Sequence, residues 1–384
     1  MSQLKILQIV PRIAAESSGQ SVSVPSLSRS LAEIGHDVKL FTLRPRPKRQ
    51  LFQQTKFFPT TPLPLCYRLG VSPSMKRAIR DAMPAMDIVH TNSLWMMPNV
   101  YPGVVRDRGN CKLVISPRGT VSEWALSRAR FRKGLIWRMG QRKSLESADL
   151  IHVTSMDEMA DVRKLGFRNP VAVIANGVTC PVAYKPRDPS RSERTCLFLA
   201  RIHPTKGLDH LLKAWNAILS KNKNWKLVIA GPTRSAYAAK LRADVENSAL
   251  PRVEFVGEVT GKAKIRLLNS SDLYILPTHS ENFGISIAEA LAHGLPSIVY
   301  KGAPWSELDC RKAGWWIDRD AEVLAETMVK AMTLSDEERE MMGMNAQRWM
   351  QSEYDWKRLS VKTGEVYQWL CRRDTEKPAE VHVT

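Results

Sequence analysis

The sequence predicts an α/β protein built as two Rossmann-like domains, each a doubly wound parallel sheet. Over the first half, short β-rich runs alternate with helix-like segments, the pattern of strands joined by crossover helices. The alternation stops at a polar, proline-bearing stretch from Pro181 to Arg194 and then begins again. The length, 384 residues, exceeds one typical core, and 43% hydrophobic with 25% charged residues is ordinary for a soluble globular chain.

In the first domain, 1–180, strands are expected at 5–10, 38–42, 88–91, 113–116, 150–154 and 171–174. The turn after the first strand leads into a helix carrying Val24, Leu27, Leu31 and Ile34 at helical spacing, closed by Gly35. Gly19 lies in that small-residue turn, where backbone can approach a phosphate closely. The turn lacks GxGxxG, which disfavours a dinucleotide site and leaves a plain turn as the alternative. The second domain, 181–354, repeats the pattern with strands at 196–200, 226–230, 253–256, 273–276, 297–300 and 315–317. Residues 355–384 read as a long helix carrying Leu359, Val366 and Leu370, which could pack across both domains, followed by a polar, loose tail from Arg372.

Formal charge is +19, from 57 basic and 38 acidic residues, so anionic partners are favoured: nucleic acid, anionic lipid or phosphorylated substrates. The basic residues cluster at Arg44, Arg46, Lys48 and Arg49, at Lys76, Arg77 and Arg80, and from Arg128 to Lys143. No basic leader with an apolar core precedes the first strand, and no apolar run approaches the roughly 20 residues needed to cross a bilayer. Six dispersed cysteines without a CxxC pair suit reduced thiols. A cytoplasmic protein is the expectation.

The densest chemistry lies at Ser280 to Gly294, after the strand-like run ending at Pro277. Gly284 gives a turn its backbone freedom, Ser286 to Ala292 suit a helix, and Gly294 before Leu295-Pro296 reads as its stop. The first amides of such a helix lack internal partners and favour an anion, most naturally a phosphate. Glu281 and Glu289, eight positions apart, could flank one elongated ligand at roughly 12 Å of rise if both were helical. Taken alone, the same two residues are equally ordinary solvated carboxylates.

A second constellation opens the second domain, where Arg201 and Lys206 sit five residues apart on the loop after a strand. A guanidinium fork and an ammonium are what a departing diphosphate requires. In the first domain His90, Asn92 and Arg118 stand at strand ends, where ligand sites of doubly wound sheets lie, although a structural histidine fits equally well. The segment 128–143 interleaves seven basic residues with Phe131, Leu135, Ile136, Trp137 and Met139. It suits the surface of an anionic membrane, or else a surface helix packed on its own domain. No HExxH or Cys-His cluster is present, and Asp318-Arg319-Asp320 is the sole DxD spacing, so no metal site is expected.

Over nearly its whole length the chain resembles the retaining glycosyltransferases of GT-B fold, in particular glycosyltransferase family four, the group 1 enzymes of bacterial polysaccharide and lipopolysaccharide synthesis. The resemblance rests on the E-x7-E pair Glu281 and Glu289 with Asn282-Phe283-Gly284 between, joined to Arg201 and Lys206. It implies two domains facing a cleft, with the last helix crossing back to the first. It implies that Glu281, Asn282 and the amides of Phe283, Gly284 and Ile285 bind donor sugar and phosphate. Glu289 would hold the ribose, Arg201 and Lys206 the diphosphate, and Gly19 the same phosphates from the first domain. His90, Asn92 and Arg118 become acceptor-side candidates. The chain departs from the family where an adjacent pair of glycines becomes Ser18-Gly19, where a glycine before the arginine becomes Ala200, and where many relatives carry histidine at the position of Arg118.

The resulting expectation is a retaining, metal-independent, hexosyltransferase-type enzyme moving sugar from a nucleotide sugar to a glycan or glycolipid acceptor. It would need no cofactor beyond that donor and no nucleic acid, and could sit peripherally on the inner membrane face through 128–143. Two rivals stand beside it: a GT-B nucleotide-sugar epimerase using the same donor pocket without an acceptor, and a nucleic-acid-binding protein driven by the basic patches. The first would need a committed acid/base set that the first domain does not display, and the second a recognisable nucleic-acid module.

Overall fold

Apolar runs too short for helices become strands buried on both faces, as parallel sheets require. In the computed structural model, which describes residues 2–14, 18–49, 52–106, 109, 111–220, 223–248, 250–372 and 376–383, the chain forms two units. One is Met1–Gly177 with Trp356–Thr384, the other Val178–Asp355.

The first unit carries β1 (Lys5–Ile9), β2 (Asp37–Leu43), β3 (Thr55–Phe58), β4 (Ile88–Asn92), β5 (Lys112–Ser116), β6 (Leu150–Val153) and β7 (Val171–Val173). They run parallel in the order β7-β6-β5-β4-β1-β2-β3, so the winding reverses between β1 and β4. The second unit carries β8 (Arg194–Leu199), β9 (Trp225–Ala230), β10 (Val253–Gly257), β11 (Leu273–Leu276), β12 (Ser297–Tyr300) and β13 (Gly314–Ile317). Its order, β10-β9-β8-β11-β12-β13, is likewise all parallel and reverses between β8 and β11. Such reversals open a crevice at the C-terminal strand ends.

Every strand expected from the sequence is present, with ends that coincide or shift by at most two residues, and two further strands are found. β3 is a four-residue edge strand in which only Phe58 is buried, too short to display a period. The last, β14 (Val381–His382), pairs antiparallel with β7 and buries Val381. The tail is therefore not loose at that point, and Lys362 holds its Glu380 at 2.8 Å. Residues 373–375 and 384 of the tail lie outside the described residues.

The final helix, Trp356–Cys371, belongs to the first unit and completes its core. Its Trp356, Leu359, Val366, Tyr367 and Leu370 pack in one cluster with Ile6, Val24, Leu27 and Leu31. Among the described residues no helix is long and apolar enough to cross a membrane.

Candidate functional site

In the second unit the sequence motifs converge at the crevice between β8 and β11. The loop after β8 carries Arg201 and Lys206, and the loop after β11 carries Glu281 to Gly284. The two loops are stitched by backbone: the Thr205 carbonyl accepts from the His279 amide at 2.8 Å and from Thr278 Oγ1 at 3.0 Å. Their approach requires glycine at 207, where φ is +64° and a Cβ would stand 2.0 Å from the Pro277 carbonyl oxygen.

Lys206 is buried and donates to Glu281 in an ion pair, with side chains 11% and 20% exposed. The residues expected to hold diphosphate and sugar are thus in direct contact with each other. Arg201 is exposed and makes no ion pair among the described residues. Glu281 precedes the helix Ile285–Ala292 whereas Glu289 lies within it, so they do not share one helical face. Glu289 meets Lys264 of the helix Gly261–Ser270 at 2.5 Å. Lys264 escaped the sequence reading because only the fold brings its helix against Glu289.

Gly284 caps the helix Ile285–Ala292 at φ +85°, and the helix's opening amides have no acceptor inside it. The turn before it is held rigidly. Buried Phe283 packs on Trp305 and Tyr354, with ring centroids 5.2 and 5.9 Å apart, and Trp305 Nε1 donates to the Phe283 carbonyl at 2.5 Å. The Tyr274 hydroxyl lies 3.1 Å from the Leu199 carbonyl and 2.8 Å from Ser286 Oγ, bridging the end of β8 to the helix start. Burial drives its pKa up and keeps it neutral. The DxD pair has structural work: Asp318 pairs with Lys301 at 2.9 Å, and Asp320 caps the helix Ala321–Thr333.

In the first unit, Gly19 opens the helix Gly19–Glu33 behind Ser18; turn residues 15–17 lie outside the described residues. His90 and Asn92, acceptor-side candidates by sequence, are fully buried at the end of β4. His90 Nδ1 lies 2.6 Å from the Tyr367 hydroxyl and its Nε2 2.7 Å from Ser116 Oγ. The Asn92 amide donates to Gln8 Oε1 at 2.9 Å and to the Ile9 carbonyl at 3.2 Å. Both side chains form a buried floor beneath Arg118, which is part-exposed and adopts φ +57°. Burial holds His90 well below the ordinary imidazole range and lowers the Arg118 guanidinium to about 10. The neighbouring His152, 5.3 Å away ring to ring, is lowered by burial to about 3.

The segment 128–143 divides. Ile136 is buried and Trp137 packs against Trp95 and Phe167, as a helix on its own domain should. Lys133 turns inward to the Ala125 carbonyl. Phe131, by contrast, is 90% exposed among exposed Arg128, Arg130 and Arg132, and Arg128 covers exposed Trp124 at 4.4 Å.

Comparison with known proteins gives the family and the fold. Residues 185–349 match the family described as glycosyl transferases group 1, and residues 18–177 match the glycosyl transferase 4-like domain. The chain belongs to the group 1 glycosyltransferases, and its fold is GT-B. It is 25% identical over 269 residues to a GDP-mannose:cellobiosyl-diphosphopolyprenol alpha-mannosyltransferase of Xanthomonas campestris, covering 70% of this chain and 69% of that protein. It is 27% identical over 259 residues to a D-inositol 3-phosphate glycosyltransferase of Mycobacterium tuberculosis, covering 60% of this chain and about half, 52%, of that protein. In structure it is similar to the sucrose-phosphate synthase of Thermosynechococcus elongatus, with TM-score 0.76, 20% identity and coverage of 95% and 99%. Anabaena HepE in complex with UDP-glucose gives TM-score 0.76 at 16% identity, with coverage of 95% and 100%.

Two outcomes follow from this geometry. Gly207→Ala forces a strained backbone and a clash with Pro277, costing about 1–3 kcal/mol; thermal unfolding should shift down and nucleotide diphosphate affinity should fall with it. His152 takes up its proton only near pH 3 when folded, against 6.5 for the free group. Below 6.5 the unfolded chain therefore binds the extra proton, so stability is greatest above 6.5 and declines as pH falls towards 3, by up to ~1.4 kcal/mol per pH unit from this group. Melting curves from pH 7.5 to 4.5 should show the decline, shallower in His152→Gln.

Proposed function

We propose that this glycosyltransferase moves a sugar from a nucleotide-diphosphate donor to a hydroxyl of a lipid-linked glycan in cell-surface polysaccharide or lipopolysaccharide synthesis, with retained anomeric configuration and without a metal ion. The observation that carries the reading is the convergence of Lys206, Glu281 and the opening amides of the helix Ile285–Ala292 at the β8–β11 crevice, on the loop that also bears Arg201. The acceptor named for the Xanthomonas relative, a cellobiosyl diphosphopolyprenol, and the UDP-glucose bound by HepE support the substrate class. WaaG, a structural neighbour at TM-score 0.69, is described as a glycosyltransferase of lipopolysaccharide biosynthesis.

The diphosphate lies against the helix amides, where unpaired N–H groups and the macrodipole favour negative charge. Glu281 accepts from donor-sugar hydroxyls and Glu289 from the ribose. As the bond from the anomeric carbon to the phosphate oxygen breaks, charge grows on the leaving diphosphate, and Lys206 and Arg201 stabilise it. That phosphate oxygen takes the proton of the acceptor hydroxyl as the hydroxyl oxygen bonds to the anomeric carbon from the same face, which retains the configuration. The two cations and the helix start supply the positive charge that a metal ion provides elsewhere.

Lys206→Ala and Glu281→Ala should each lower kcat/KM by about 100-fold or more with the donor selected by a thermal-shift screen of nucleotide sugars, with transfer undiminished by EDTA. Normal transfer by both variants with every nucleotide sugar tried would overturn the site. The Phe131 patch supports docking on an anionic membrane, a bare aromatic among exposed arginines. Co-sedimentation should favour anionic over neutral vesicles, and Phe131→Ser with Arg130→Glu should remove the preference; equal partitioning of the wild type to both vesicles sinks it.

A further inference from the structure

Arg118 is a cation surrounded by neutral acceptors. Its Nε and one Nη meet Asn92 Oδ1 at 3.2 and 2.9 Å, and the other Nη meets Asn176 Oδ1. No carboxylate among the described residues pairs with it, although arginines elsewhere in this chain do pair: Arg106 with Asp149 at 2.5 Å, Arg191 with Asp272 at 2.6 Å and Arg194 with Asp336 at 2.6 Å. Glu158, whose charge is felt at Arg118, instead accepts from the backbone amides of Gly119 at 2.5 Å and Thr154 at 2.8 Å. That contact fixes the turn in which Arg118 stands at positive φ. The side chain is therefore held rigidly at the C-terminal end of β5, on the buried floor of Asn92 and His90, with two of its five N–H donors uncommitted.

A guanidinium fixed by neutral partners, reached by solvent and left with two uncommitted N–H donors, suits an anion. We propose that Arg118 is a specificity-determining residue of this enzyme and takes an acidic group, a carboxylate or phosphate, carried by one of its two substrates. The assignment rests on the glycosyl-transfer reading above and adds the chemical class of substrate. Asn92 and Asn176 are positioning residues that aim the guanidinium.

The test uses the full chain and titration calorimetry backed by turnover. One arm compares UDP-glucose with UDP-glucuronate and GDP-mannose with GDP-mannuronate. The other compares octyl glucoside with octyl glucuronide and octyl glucoside 6-phosphate in the presence of UDP or GDP. In one arm the acidic member should bind about 10- to 100-fold more tightly, Arg118→Gln should abolish the difference, and Arg118→Lys should restore part of it. Preference in the donor arm places the acid on the transferred sugar, and preference in the acceptor arm places it on the acceptor. Intact UDP or GDP binding with no acidic preference in either arm, or with a preference that Arg118→Gln leaves unchanged, overturns the proposal. If neither nucleotide binds the wild-type chain, the donor-site reading itself has failed and the assignment falls with it. Matching melting temperatures of the lysine and glutamine variants separate lost recognition from lost folding.

Discussion

The architecture of the second unit depends on pairing lysines with carboxylates where the sheet opens. An ammonium as shielded as that of Lys206 would be costly alone, since desolvation penalises the charged form. Glu281 pairs with it and aims it, while Lys264 pairs with Glu289 inside the helix that follows. Such pairs add little net stability. What they supply is orientation, because each charged side chain is held in one arrangement by its partner.

The surroundings of the pair follow from the same need. Thr205 and His279 lock the two loops, Trp305 grips the Phe283 carbonyl, and Tyr274 ties a strand end to a helix start. These contacts come from residues far apart in sequence, and each fixes backbone on which a charged side chain stands. The first unit solves the opposite problem. Its floor of Gln8, His90, Ser116 and Tyr367 is neutral, and one guanidinium stands above it.

Most of the fold was legible because parallel strands buried on both faces are written as apolar runs, and the break at Pro181 to Arg194 separates two such sets. The meeting of Lys206 and Glu281 was legible because both follow predicted strands and the winding order brings those ends together. What was hidden depended on tertiary pairing. A two-residue strand such as β14 has no period to read, and Lys264 on its helix looks like any solvated lysine. His90 shows the converse: a strand-end position reads as functional, yet its neighbours Tyr367 and Ser116 consume both ring nitrogens.

The return of the last helix to the first unit has a consequence for how the protein is made. Val178–Asp355 is contiguous and can close its core as soon as it clears the ribosome, since domains generally fold as units. The N-terminal segment emerges earlier but lacks Leu359, Val366, Tyr367 and Leu370, which follow the second unit in the chain and cover Val24, Leu27 and Leu31. The unit begun first is therefore completed only after the second has been made, and until then it carries an uncovered apolar face. A message broken after the codon for Asp355 would yield a complete second unit attached to an aggregation-prone first one, a product for quality control to recognise.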